Sequence, residues 1–228
     1  MLNLKDVTLV CIDTKNIYEA LCAINYSLKN INFGNVIFFT NSDPKIDKFS
    51  NTKSINIIQI PEIKSKVDYS RFCLTELSNY IDTEYCLTIQ HDGFVINPFE
   101  WSAEFLNYDY IGAPWPIEWG YKNRVGNGGF CLKSKKFLSL TQEIFQNRSF
   151  TIDRDRFDIS ENEDYLTSVI MYDTMIENGI KFANPKIAAK FSLEHPVPEF
   201  VEKSFGFHDK FLDQNKRAIN EKFVNIAI

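Results

Sequence analysis

Apolar positions in the first ninety residues follow two alternating rhythms. Residues 7–12, VTLVCI, are nearly all apolar and β-prone, and the run stops at Asp13-Thr14, the pattern of a parallel strand covered on both faces. Residues 17–29, IYEALCAINYSLK, place Ile17, Leu21, Ile24 and Leu28 three or four apart, which predicts a helix long enough to cross back over a sheet. A second strand is predicted at 36–40, VIFFT, closed by the turn Asn41-Ser42-Asp43-Pro44. INIIQI at 55–60 predicts a third strand ending at Pro61, YSRFCLTELSNY at 69–80 a helix, and YCLTI at 85–89 a fourth strand.

This order of strands and helices specifies an α/β fold with an open, mostly parallel sheet flanked by helices. Ligands of such sheets bind in the crevice beyond the carboxyl ends of the strands, so the polar residues that close each strand come first as candidates. From residue 93 the texture changes to Gly, Pro and Trp among short apolar pieces, expected to form irregular loops with one or two added strands. Helical spacing returns at 134–146 and 163–178. The second of these directs Tyr165, Leu166, Val169, Ile170, Tyr172 and Met175 inward and stops at Gly179. In the tail from 196 to 228 only a weakly helical piece, 209–222, stands out.

Composition narrows the function classes. With 228 residues, 44% of them hydrophobic, the chain can build one large domain or two small ones. A net charge of -5 and a pI near 5.3 disfavour a protein whose affinity comes from neutralising nucleic-acid phosphates, while allowing a local basic pocket. The apolar run near the N-terminus is interrupted by Asp6 and Asp13, too soon for a signal peptide or membrane span, and a cytoplasmic protein is expected. Five cysteines in apolar contexts, without a CxxC pair, fit reduced buried thiols rather than a disulfide scaffold or a zinc site.

The sharpest chemical signal is Gln90-His91-Asp92-Gly93 at the end of the fourth strand. Alternation along an extended segment would direct Gln90 and Asp92 to one side and His91 to the other. Asp92 would then offer a hard oxygen to Mg²⁺ or Mn²⁺ bridging a diphosphate, although an aspartate there can also simply cap a turn. Val125-Gly126-Asn127-Gly128-Gly129-Phe130 cannot be a helix interior and allows bare backbone to lie beside a sugar, with Asn127 as local donor and acceptor; a hairpin turn explains the glycines equally well. It matches neither phosphate-loop pattern.

Glu161-Asn162-Glu163-Asp164 opens a predicted helix, where acids offset the helix dipole and Asn162 or Ser160 is the candidate cap. If that helix starts at the crevice, Glu163 or Asp164 can serve as a general base. His208, in Ser204-Phe205-Gly206-Phe207-His208, is either a packing residue or a second metal ligand. Asp13 and Thr14 are placed to meet a nucleoside, and Lys66 and Arg71 to face phosphates, while Asp68 and Arg71 also suit an ordinary surface pair. Among the tryptophans, Trp115 is the candidate sugar-stacking wall.

The ordered set Gln90-His91-Asp92-Gly93, Asp109-Tyr110-Ile111-Gly112-Ala113-Pro114-Trp115, Gly126-Asn127-Gly128-Gly129-Phe130, Asn162-Glu163-Asp164 and Phe205-Gly206-Phe207-His208 resembles the DUF5672 family, regarded as glycosyltransferases with a GT-A-like fold. The likeness extends over about residues 5–210. It implies a single GT-A-like domain over 1–228, with a nucleotide-sugar half at about 1–92 and an acceptor half with the C-terminal tail at 93–228. Gln90-His91-Asp92 would stand in the place of the DxD metal motif, Asp92 matching the second acid and Gln90 departing from the first, which weakens the metal site. His208 resembles the C-terminal metal-binding histidine of such enzymes, and Asp164 or Glu163 the base of inverting members.

The implied reaction moves a sugar from a nucleoside diphosphate sugar to a hydroxyl of a glycan or lipid-linked acceptor, in surface polysaccharide or glycan synthesis. It uses Mn²⁺ or Mg²⁺ on Asp92 and His208, and it allows peripheral contact with the inner face of the membrane. Asn127, Gly128, Gly129 and Trp115 would hold the acceptor against the donor. Two other classes compete: a sugar nucleotidyltransferase, which lacks its Gly-rich basic loop here, and a non-catalytic glycan-binding protein.

Overall fold

In the computed structural model, residues 1–44, 46, 54–146 and 162–208 are described. β1 (Leu2–Ile12) leads into α1 (Ile17–Ser27), β2 (Ile31–Thr40) and β3 (Asn56–Gln59). Then follow α2 (Lys66–Thr75), β4 (Tyr85–Ile89), β5 (Tyr110–Ile111), β6 (Phe130–Ser134) and α3 (Lys135–Gln146). The sheet order is β3-β2-β1-β4-β6-β5, in which β3, β2, β1 and β4 run parallel while β6 is antiparallel to both β4 and β5.

β1 shows why a continuous apolar run was needed. Its Val7, Leu9 and Cys11 join the core cluster under α1, with Ala20, Leu21 and Ile24. Val10 and Ile12 belong to the opposite cluster, with Cys73 of α2 and Leu138 of α3. A strand buried on both faces has no polar side to alternate with. All five cysteines are free thiols.

The helix expected over 163–178 is broken in two. α4 (Glu163–Tyr165) passes into a π-turn at Leu166–Ile170, closed by Met171 N–H donating to Leu166 C=O at 2.9 Å, before α5 (Tyr172–Glu177). The extra residue in that turn rotates the face. Thr167, Ser168 and Met171 are buried, whereas Ile170, expected inside, is 58% exposed. Gly179 does end the segment, at a φ of 75°. α6 (Pro185–Phe191), capped by Asn184, runs into β7 (Ser192–Leu193), which pairs with β8 (Gly206–Phe207) and carries the chain back to the mouth of the sheet. The weak helix at 209–222 lies outside the described residues.

Candidate active site

β4 delivers Gln90 to the carboxyl edge of the sheet, but the chain does not continue extended. Gln90 and Gly93 exchange two backbone hydrogen bonds of 2.9 and 3.2 Å, so His91 and Asp92 occupy a two-residue turn. Alternation therefore does not govern these side chains. Asp92 meets His208, Oδ1 to Nε2 at 3.6 Å, and the Gln90 Oε1 atom lies 3.3 Å from the same nitrogen. His91 turns to Asp13, Nδ1 to Oδ2 at 3.1 Å, and keeps its Nε2 atom 3.9 Å from Asp92.

Glu194, which directly follows β7, completes the cluster and was not singled out from sequence. One carboxylate oxygen is 3.1 Å from His208 Nδ1; the other is 3.2 Å from His195 Nε2 and accepts a bond from Asn127 Nδ2. All three histidines of the chain thus stand in one series of alternating acids and imidazoles, Asp13, His91, Asp92, His208, Glu194 and His195. Burial alone would lower the His208 imidazole, yet Asp92 and Glu194 outweigh it and raise its pKa to about 10. Burial acts against ionisation of Glu194, but His195 and His208 hold its carboxyl well below the usual range. The same contest, won by His208 and His91, lowers Asp92.

Glu163 and Asp164 line the same cavity as His208, of about 520 Å³. Asp164 receives Gly128 N–H and Tyr165 N–H, each at 2.7 Å, which aims its carboxylate at the Gly-rich segment. Burial raises its pKa against those two amides. Glu163 is 6% exposed, and its Oε1 atom has no hydrogen-bond partner. Burial and then Asp164 push its pKa up to about 7, with Lys133, buried on β6, opposing. Asn162 occupies the N-cap position but makes no side-chain cap bond.

The glycines of residues 126–129 make room mainly for protein groups. A methyl at Gly128 would come within 1.9 Å of Glu163 Oε1, and one at Gly129 within 2.0 Å of His208 Nε2. Between Gly126 and Gly128, Asn127 adopts a φ of 66° and is tied to Glu194 and to His208. The bare backbone here makes room for Glu163 and His208 at adjacent residues.

Of the other candidates, Lys66, Gln90, Trp115, Asn127, Gly128 and Gly129 line the cavity; Asp92, expected to face it, does not line it and instead contacts His208, which does. Asp13, Thr14 and Arg71 do not line it. Asp13 is occupied by the amides of Lys15 and Asn16 besides His91, Thr14 Oγ1 accepts the Ile63 amide at 3.0 Å, and Arg71 is exposed on α2. Asp68 closes a capping box with Ser65, which places Lys66 in the first turn at the cavity. Trp115 is 5% exposed and packs on the Gly126 backbone, whereas Trp119 is 42% exposed. Trp119, Tyr121, Glu194 and Tyr165, the last expected only to face inward from its helix, also line the cavity.

A divalent cation fits one place. Asp92 Oδ1 is buried without a hydrogen-bond partner and faces His208 Nε2 at 3.6 Å, so these two are the residues that would hold such an ion. Glu194 behind the imidazole is the usual support for a ligating histidine. Among the described residues no group of three His, Cys, Asp or Glu side chains forms a metal site, so substrate oxygens would have to complete the shell. A cation there would compete with the proton that Asp92 and Glu194 favour on His208.

Four parallel strands, an antiparallel insertion beside the fourth, and a polar cluster at the strand ends define a GT-A-like fold. Over 96% of its length the chain superposes on 95% of the galactosyltransferase LgtC, crystallised with donor and acceptor sugar analogues, at a TM-score of 0.53 and 12% identity. A glycosyltransferase involved in glycosylating the major capsid of PBCV-1 gives 0.49 at 16% identity, with 96% and 98% of the two chains covered, too loose a likeness to add to the assignment. No curated protein matches in sequence. Residues 53–208 match the family model described as protein of unknown function DUF5672, and the chain belongs to that family.

Proposed function

We propose that the chain transfers a glycosyl group from a nucleoside diphosphate sugar to a hydroxyl of a glycan or lipid-linked acceptor, in surface polysaccharide or glycan synthesis. The observation that carries this reading is that two unlike groups, an acid-imidazole pair and two adjacent carboxyls, meet at one cavity. His208, which Asp92 meets, and Asp164 with Glu163 beside Gly128 all line that cavity. Two such groups suit a reaction in which charge develops on a leaving diphosphate and a proton leaves an acceptor. Residues 1–92 would mainly serve the donor and 93–228 the acceptor, within a single domain.

Asp92 and His208, with Gln90 beside them, would hold Mn²⁺ or Mg²⁺. The ion, when bound, supplies positive charge to the diphosphate. Lys66, at the cavity edge on α2, adds a second cation for the phosphates. Asp164, fixed by two amides, takes the proton from the acceptor hydroxyl as its oxygen bonds to the anomeric carbon. The bond from that carbon to the diphosphate breaks with its electron pair leaving on the diphosphate, so the anomeric configuration inverts. Glu163, poised near neutrality, is the other candidate for the same proton.

Among the described residues no helix is long and apolar enough to cross a membrane. A cytoplasmic location, with peripheral contact at the inner membrane face for a lipid-linked acceptor, belongs to the same proposal.

The test is a panel of nucleoside diphosphate sugars offered to the purified protein with and without Mn²⁺. Binding is followed by thermal shift and turnover by nucleoside diphosphate release. Turnover that falls at least about 100-fold in kcat/KM in Asp92→Asn, with the fold intact, is the expected result. Use of a nucleoside triphosphate and a sugar phosphate would instead identify a nucleotidyltransferase, and sugar binding indifferent to nucleotide a glycan-binding protein.

A further inference from the structure

Beyond the two reacting clusters, the cavity has a wall whose chemistry is different. Trp119, at the end of the short turn Ile117–Trp119, lies 5.8 Å from Tyr121 and 6.2 Å from Trp115, and its ring meets His195 at 5.0 Å. Tyr121 in turn stands 5.6 Å from Tyr165, the residue after Asp164. Trp115 is held against Gly126 and supports the wall from behind; the exposed indole is that of Trp119. An indole at a cavity mouth with polar groups deeper in is the surface on which a pyranose stacks its C–H face while its hydroxyls reach inward.

The charges of this wall narrow the class of sugar. Glu163, Asp164 and Glu194 all line the cavity. His195 and His208 are both bound to Glu194. The basic residues next to Tyr121 are committed elsewhere: Lys122 to Asp173, and Arg124 to Glu199 at 2.9 and 3.0 Å. Among the described residues, Lys66 is the remaining cation lining the cavity, and it stands on α2 with Tyr69 and Ser70. An anionic group beside Trp119 would meet three lining carboxyls, while the two lining imidazoles are already paired with Glu194, a cost that a neutral ring does not meet.

We infer that Trp119, with Tyr121 and Tyr165, forms the acceptor subsite, and that it takes a neutral or amino pyranose and rejects sugar acids and sugar phosphates. This rests on the glycosyltransferase reading above, since it names the acceptor class for that site. It also assigns Trp119 the stacking role that sequence had given to Trp115.

The test uses the whole protein saturated with UDP or GDP and Mn²⁺, and measures binding of simple glycosides by saturation-transfer NMR. Methyl glucoside, methyl galactoside, methyl N-acetylglucosaminide and methyl glucosaminide are compared with methyl glucuronide, methyl sialoside and glucose 6-phosphate. At least one of the first group is expected to bind at least about tenfold more tightly than every member of the second. Trp119→Ala should weaken that binding about tenfold and Trp119→Phe much less, with nucleotide affinity unchanged in both. Tighter binding of the anionic probes, or neutral binding unaffected in Trp119→Ala, would overturn the inference. Nucleotide binding without any glycoside binding would also overturn it while leaving the donor reading standing; absence of binding by both UDP and GDP would remove both.

Discussion

Glu194 lies 3.1 Å from Nδ1 of His208 and thereby turns the opposite ring nitrogen towards Asp92, 3.6 Å away. A carboxylate in this place decides both the orientation of the imidazole and its basicity. Glu194→Gln is expected to lower Mn²⁺-dependent nucleotide affinity about 10- to 100-fold. Calorimetric titration of UDP or GDP with and without Mn²⁺ checks this. Equal affinities in the variant and the parent would show that His208 keeps its orientation without Glu194.

Glu163 links acidity to stability. Its folded pKa of about 7 lies above the ordinary carboxyl value of 4.5, so between those values the folded chain binds the extra proton. Stability from this group is complete below about pH 4.5 and is lost as pH rises through 7. Glu163→Gln should therefore be the more stable protein at pH 8 and show a flatter profile between pH 5 and 8. Urea unfolding at several pH values measures it; a variant less stable than the parent at pH 8 would contradict the assignment.

Asp164→Asn retains an oxygen able to accept Gly128 N–H but cannot take a proton. Turnover is expected to fall about 10²- to 10⁴-fold with nucleotide affinity unchanged. The product made by the parent enzyme should be inverted at the anomeric carbon, as NMR of the product would show. Retained configuration would rule out direct attack assisted by Asp164.

Gly129→Ala puts a methyl 2.0 Å from His208 Nε2, closer than real contacts allow, so the imidazole must move. Loss of Mn²⁺-dependent nucleotide binding is expected, with destabilisation of about 1–3 kcal/mol from the crowding. Thermal unfolding together with the same calorimetric titration separates the two effects.

Much of the parallel half of the sheet is written in local patterns. VTLVCI, VIFFT, INIIQI and YCLTI lie within β1 to β4 or overrun them by at most a residue at each end, and Ile17, Leu21 and Ile24 lie in α1 as their spacing requires. Burial on two faces or along one helical stripe leaves a periodic trace that neighbouring residues share. The added strands were legible only as a change of texture after residue 93. That β6 runs antiparallel between β4 and β5 is a matter of long-range pairing, with Leu87 opposite Leu132.

The site divides in the same way. That Asp92 closes a strand and that acids open a segment at 163 could be read from order alone, because a strand end and a helix start are local events. That His208 meets Asp92, that Glu194 holds His208, and that Trp119 rather than Trp115 is exposed were decided by tertiary packing. The π-turn at Leu166–Ile170 likewise shifted the buried face by an amount no helical period encodes. Composition and spacing thus determined which chemical groups the chain possesses and which elements carry them. Which groups touch was settled only when the strand ends, the Gly126–Gly129 backbone and the β7–β8 pair were brought to one edge of the sheet, since contact energies between residues a hundred positions apart leave no mark on the local pattern.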